Sequence, residues 1–312
     1  MFTLLSLKFF DYIIIWFFIE ITNFLFICLI NLNLKNKKII FFYFIIQILA
    51  SFPIIFSIIL NNIFIWNNYI NFIIIFALLI KLSIPPFHLW LPIISKYLSW
   101  NILFILLTLQ KIIPFYIISL IKIHNLIIYL ILIACSVIPP YIIFNLYNFK
   151  ILLRYSSINQ SRWIIILISL KSLIWFKYFL FYSIILFILF IFISLYKILI
   201  NFKYLLINFN KYNNLLIIFI IANMARIPPF SFFYIKWYRI FIFIQNSNLF
   251  FIFIIIIIRS LIILFIYINI IINSIFFYKF ESKLQPLKFI LNNNLNFLIQ
   301  LSLLLSLIIL II

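Results

Sequence analysis

The 312-residue chain has no glycine, three acidic residues and two cysteines. Without glycine there is no glycine-rich loop to cradle a phosphate. Asp11, Glu20 and Glu281 are the whole acidic complement, and with His88 and His124 they form no cluster spaced to hold a metal. Cys28 and Cys135 lie inside apolar runs. Two lone cysteines give neither a disulfide framework nor a metal spacing, so each is expected to be a small buried hydrophobe. No nucleophile stands beside a base that could activate it. Redox or hydrolytic chemistry carried by this chain, and a cofactor or metal of its own, are therefore not expected.

What the chain has in abundance is apolar surface. It is 69% hydrophobic and 8% charged, with a mean hydropathy of +1.37, which no soluble domain of this length could carry without exposing a very large apolar patch. Apolar runs near the roughly 20 residues that cross a bilayer follow one another near 4–30, 39–60, 69–97, 101–121, 125–146, 151–170, 178–198, 213–243, 249–274 and 295–312. They predict an all-α, polytopic transmembrane bundle of about ten helices, forming a single membrane domain over 1–312. The start, MFTLLSLKFFDY, runs straight into a span and shows no removable-signal pattern.

The net charge of +20 does not indicate nucleic acid, because the lysines lie mostly between apolar runs and form no basic stripe. Alternate connections are basic, as at Lys35, Lys37 and Lys38, then Lys96, Lys150 and Lys197. That pattern places them on the inner side of a membrane. Phe, Ile, Leu, Asn, Lys and Tyr dominate, all with codons rich in A and T. Such a composition points to an organellar genome.

Two runs contain the same interruption. KLSIPPFHLWLP carries Pro85 and Pro86, and RIPPFSFFYIKW carries Pro228 and Pro229. Each pair removes two amide donors and pushes the preceding residue out of helical geometry, so the first helix should break near Ile84. In lipid the freed carbonyls are tolerated only beside protein or water. Lys81 precedes the first pair and Lys236 follows the second. Two broken helices in the two halves are what inverted repeats of a transporter would show; ordinary loops with snorkelling lysines are the alternative.

Two charges lie deep in the spans. Glu20 has apolar neighbours on both sides, and its natural partner is a lysine on another helix, with a bond to a neighbouring carbonyl as the alternative. Lys111 sits near the middle of 101–121, too deep to reach either interface easily, with Gln110 beside it and Pro114 freeing a carbonyl one turn back. Removal from water disfavours the charged form of an ammonium, the property a proton relay needs. His88 could extend such a relay or serve as a structural donor.

The segments KLSIPPFHLWLP (81–92) and LLTLQKIIP (106–114), with YFIIQILAS (43–51), YSSINQSRW (155–163) and IPPFSFFYIKW (227–237) in order, resemble the chain 2 family of mitochondrial NADH:ubiquinone oxidoreductase, respiratory complex I. The resemblance implies an antiporter-like module of inverted repeats in the mitochondrial inner membrane, encoded in the organelle. It also implies a lateral proton relay through Glu20, Lys81, Lys111 and Lys236. Other membrane-arm subunits of complex I and the bilayer would be its partners. NADH, FMN, iron-sulfur clusters and ubiquinone would be bound by other subunits. A free-standing cation/proton antiporter is the alternative, although such a protein should carry more ion-site acids than Glu20.

Three departures from the family stand out. Its first helix has no counterpart before Glu20, and its Arg-Lys pair is replaced by Lys150 and Ile151. Arg154, Arg162 and Arg226 stand where it has small residues. Invertebrate mitochondria read AGA and AGG as serine and ATA as methionine. A chain with only two methionines, excess isoleucine and arginine at small-residue sites is what a different translation table gives, and Arg259, within FIFIIIIIRSLIILF, belongs to the same set.

Overall fold

The computed structural model describes residues 2–34, 36–63, 67–121, 123–144, 149–170, 174–195, 222–225, 227, 233 and 250–282. Among them are helices and connections and no strand. The long helices are α2 (Tyr12–Asn33), α3 (Lys37–Ile63), α4 (Asn67–Leu82), α8 (Asn125–Phe144), α9 (Phe149–Ser169), α10 (Ile174–Leu195) and α11 (Phe250–Ser282). Shorter ones are α1 (Phe2–Leu5), α5 (Trp90–Ser95), α6 (Trp100–Leu107) and α7 (Leu109–Leu120). Five stretches of the described residues are long and apolar enough to cross a membrane.

Helix is the only open-chain way to satisfy every backbone amide in lipid, which is why near-continuous apolar runs become helices here. In α2 the buried residues Ile15, Ile19, Asn23, Phe26 and Ile30 recur at helical spacing along one stripe. Ile13, Phe17 and Phe24 on other faces are exposed, as suits a surface that meets acyl chains.

The chain divides into two compact units. The first comprises residues 1–139 and 150–183. Within it α2 packs on α3 and α7, α4 packs on the same two helices, and α5 packs on α3. The second comprises 140–149 and 184–312. Its described part includes α11, where Ile256, Ile263 and Tyr267 are buried while Ile258, Leu261 and Phe265 are exposed.

The first interruption falls where the prolines predict. Helix α4 ends at Leu82, Ser83 takes a left-handed φ of 55°, and the Pro85–Pro86 bond is cis. The Ser83 amide donates to the Ile80 carbonyl at 3.1 Å and the Ile84 amide to Leu79 at 3.0 Å. This is the Schellman stop, which normally places glycine at the left-handed position. A chain without glycine uses serine there, at a cost of about 1 kcal/mol or more. Ser83→Gly should therefore leave assembly intact, whereas Ser83→Val should lower the heat resistance of the assembled protein, read as the fraction remaining intact after a temperature ramp.

The second interruption shares one of these bonds: the Ile227 amide donates to the Ala222 carbonyl at 3.3 Å, just before Pro228. Pro228, Pro229, Arg226 and Lys236 themselves lie outside the described residues, as does the whole of the expected last span, 295–312.

Three expectations need correction. The run 101–121 is not one unbroken helix, because α6 and α7 meet at Thr108. There the Thr108 hydroxyl and amide both donate to the Phe104 carbonyl, at 2.8 and 3.0 Å, and Lys111 N–H turns to Thr108 at 2.9 Å. A side chain competing for the helix carbonyl interrupts the ladder, six residues before Pro114, which itself lies inside α7. Cys28 is exposed, and only Cys135 is buried. Finally, a proline pair alone does not end a helix, since Pro139 and Pro140 both lie inside α8.

Candidate functional site: a buried line of charged groups

The break in α4 positions the first pair. Lys81 lies in the last turn of α4, and its Nζ is 3.5 Å from Glu20 Oε1 in the middle of α2. Helix C-terminal carbonyls favour a cation, so Lys81 faces negative charge from two directions. Its side chain is 3% exposed and that of Glu20 is 34% exposed. Glu20 therefore reaches the surface of this chain at membrane depth. Trp90 Nε1 donates to the Ile80 carbonyl at 3.0 Å, so a carbonyl freed by the break is satisfied by protein.

Lys111 has the opposite surroundings. It occupies the first turn of α7, where unpaired amides gather, and it is buried. Its Nζ donates to Ser157 Oγ on α9 at 3.2 Å, and that hydroxyl donates to the Arg154 carbonyl at 2.7 Å. Gln110 Nε2 donates to the Thr22 carbonyl at 3.1 Å, tying α7 to α2 two residues from Glu20. A cleft with about 390 Å³ of empty space, its mouth included, touches both Lys81 and Lys111. The structure thus brings three of the four sequence-selected charges into one region of the first unit. The fourth, Lys236, lies outside the described residues.

His88 lies in the break, with Nδ1 3.3 Å from the Pro86 carbonyl and its ring against that of Tyr155. These contacts tie it to the turn itself and to α9. Sequence reasoning missed Ser157, Asn23, Tyr43 and Trp90. Tyr43 and Ser157 stand in YFIIQILAS and YSSINQSRW, segments noticed for their resemblance, but neither residue is charged. The Tyr178 hydroxyl donates to Gln160 Oε1, linking α10 to the polar face of α9.

Helix α9 also carries Arg154 and Arg162, both fully buried. Arg154 donates to the Pro92 carbonyl at 2.8 Å, and Arg162 lies 5.4 Å from the Trp163 ring centre. The carbonyl beside Arg154 supplies no full negative charge, and a buried cation without one costs several kcal/mol. The chain has three carboxylates to offer, of which Glu20 already serves Lys81. Serine at 154 would remove that cost, and peptides across 151–163 from the source membranes should have the mass of serine at that position. Arginine masses would refute this reading. Arg259 on α11 is partly buried.

Comparison with known proteins follows the same line. The family model described as NADH:quinone oxidoreductase/Mrp antiporter, transmembrane region, matches residues 10–263, so the chain belongs to that family of multi-pass membrane proteins. Within it, the chain is 35% identical over 266 residues to NADH-ubiquinone oxidoreductase chain 2 of Rhipicephalus sanguineus, covering 81% of this chain and 80% of that one. It is 32% identical over 240 residues to the protein of the same name from Anopheles gambiae, covering 71% and 68%. A chain in the structure of respiratory complex I from Thermus thermophilus superposes with a TM-score of 0.73 at 14% identity, covering 84% of this chain and 65% of that chain. That likeness shows the antiporter-like fold.

Proposed function

We propose that the chain is a core membrane subunit of respiratory complex I, contributing to proton translocation across the mitochondrial inner membrane as NADH is oxidised and ubiquinone reduced. In this reading residues 1–312 act as one antiporter-like module beside other membrane-arm subunits. NADH, FMN, iron-sulfur clusters and ubiquinone are handled by other subunits. The observation that carries it is the Glu20–Lys81 ion pair at a helix break, sharing a cleft with the buried Lys111. A lateral relay needs such groups in unequal electrostatic surroundings, so that the charge of one biases the next. Lys236 completes the relay in the second half, and His88 is a candidate extension. The similarity to proteins named NADH-ubiquinone oxidoreductase chain 2 supports the subunit over a free-standing antiporter. The chain purified alone into vesicles should exchange no sodium or potassium for protons. Robust exchange by the isolated chain would favour the antiporter instead.

A further inference from the structure

Helix α9 buries three serines that bond back along it. Ser156 Oγ donates to the Leu153 carbonyl at 2.7 Å, Ser157 Oγ to Arg154 at 2.7 Å and Ser161 Oγ to Ile158 at 2.6 Å. A back-bonded serine on a buried helix is ordinarily a packing element. Ser157 differs from the other two in having a second partner, Lys111 Nζ of α7, which donates to it at 3.2 Å. Lys111 is 3% and Ser157 1% exposed, so neither group reaches solvent. Among the described residues that hydroxyl is the one hydrogen-bond acceptor of Lys111 Nζ, and no carboxylate lies within ion-pair distance of it. The other ionisable groups facing Lys111 are Cys135 on α8 and, lining the same cleft, Lys81 on α4 and Tyr43 on α3. Arg162 on α9 faces Cys135 in turn, and the uncharged Asn23 of α2 also borders the cleft.

The serine's single proton decides what it offers the lysine. A carbonyl can only accept, so the Ser157 hydrogen lies on Arg154, and the hydroxyl turns lone pairs alone toward Lys111. An ammonium has three donors and no acceptor, and it meets such lone pairs in a charge-assisted bond about twice as strong as a neutral one. The amine form carries a lone pair of its own, to which Ser157 can donate only by giving up Arg154. That acceptor is main chain, so the geometry holds with arginine or serine at position 154. Resting on the relay role given to Lys111 above, we propose that Ser157 is the positioning residue of that lysine, holding its ammonium form against α9 and setting the pH range over which it exchanges protons.

The test uses the assembled complex in vesicles and reads protons translocated per NADH across a pH series. Ser157→Ala removes the acceptor, whereas Ser157→Thr keeps a hydroxyl able to bond back in the same way. A hydrogen bond to a charged group is worth about tenfold or more in an equilibrium. Ser157→Ala should therefore move the alkaline limb of pumping about one pH unit toward acid, and Ser157→Thr should restore it. Electron transfer from NADH to a soluble artificial acceptor should stay at the wild-type rate in both. An unshifted limb in Ser157→Ala, or an equal loss of yield in both variants without a shift, makes the serine a packing element and overturns the role, while loss of yield in Lys111→Met leaves the relay standing. Wild-type yield in Lys111→Met removes the relay and this role with it. Should the variants fail to assemble, density in a high-resolution map of the unaltered complex decides: Lys111 Nζ bonded to Ser157 Oγ supports the role, and a lysine turned to another acceptor refutes it.

Discussion

Lys111→Met is expected to slow proton transfer through this chain by about a hundredfold or more, the scale on which loss of a proton-transferring group acts. Methionine has nearly the length of lysine and no titratable atom, so it fills the same volume between α7 and α9 without the buried charge. Packing should survive. Electron transfer from NADH to a soluble artificial acceptor, which the proposed function assigns to other subunits, should stay at the wild-type rate while protons translocated per NADH fall. Lys111→Arg sharpens the experiment, because a guanidinium keeps its proton at any ordinary pH. It retains the cation but cannot exchange a proton. If position 111 only has to be cationic, arginine restores pumping; if it must bind and release a proton, arginine fails as methionine does. The present account requires the second result. Wild-type pumping by Lys111→Met would reduce the chain to a structural role.

The second large effect concerns the Glu20–Lys81 pair. Lys81 is almost wholly enclosed and Glu20 is one-third exposed at the edge of the chain, so the two halves of the pair are not equivalent. Removing one member leaves the other charge in low dielectric without its partner, whereas removing both does not. Lys81→Met and Glu20→Gln should each lower coupled proton transfer at least about tenfold, and the double variant should be much less impaired in assembly than the sum of the singles implies. Recovery of assembly without recovery of pumping would separate the structural use of the pair from its use in the relay. Additive loss of assembly would show that the residues act independently despite their 3.5 Å separation.

Much of this arrangement was legible in the sequence because lipid makes charge and proline expensive. Glu20 and Lys111 were conspicuous for lying where charge costs most and Lys81 for preceding a proline pair, and the structure places all three in one unit. The break at Ile84 was legible because a proline pair removes donors. The same reasoning could not tell Pro85–Pro86 from Pro139–Pro140, which lie inside α8. The difference lies in what precedes them: Ser83 can close a left-handed stop, and its amide's bond to Ile80 together with the Ile84 amide's bond to Leu79 ends the helix before the prolines are reached. The interruption at Thr108 was illegible, because one threonine hydroxyl bonding back to Phe104 has no signature in an apolar run. Tyr43, Asn23 and Ser157 were overlooked for a related reason. Uncharged polar residues are common in such a sequence, and only packing shows which of them meet a lysine or border the cleft. Cys28 was misjudged because an apolar run does not distinguish the protein side of a helix from the lipid side.

The central claim is membership in the proton-pumping complex, and its most direct test is mass spectrometry of the native-gel band that carries NADH dehydrogenase activity in the source mitochondria. The account predicts that peptides of this chain occur in that band, in amounts equal to those of the other membrane-arm subunits. Absence from the band, with the same peptides recovered elsewhere in the membrane, would contradict it.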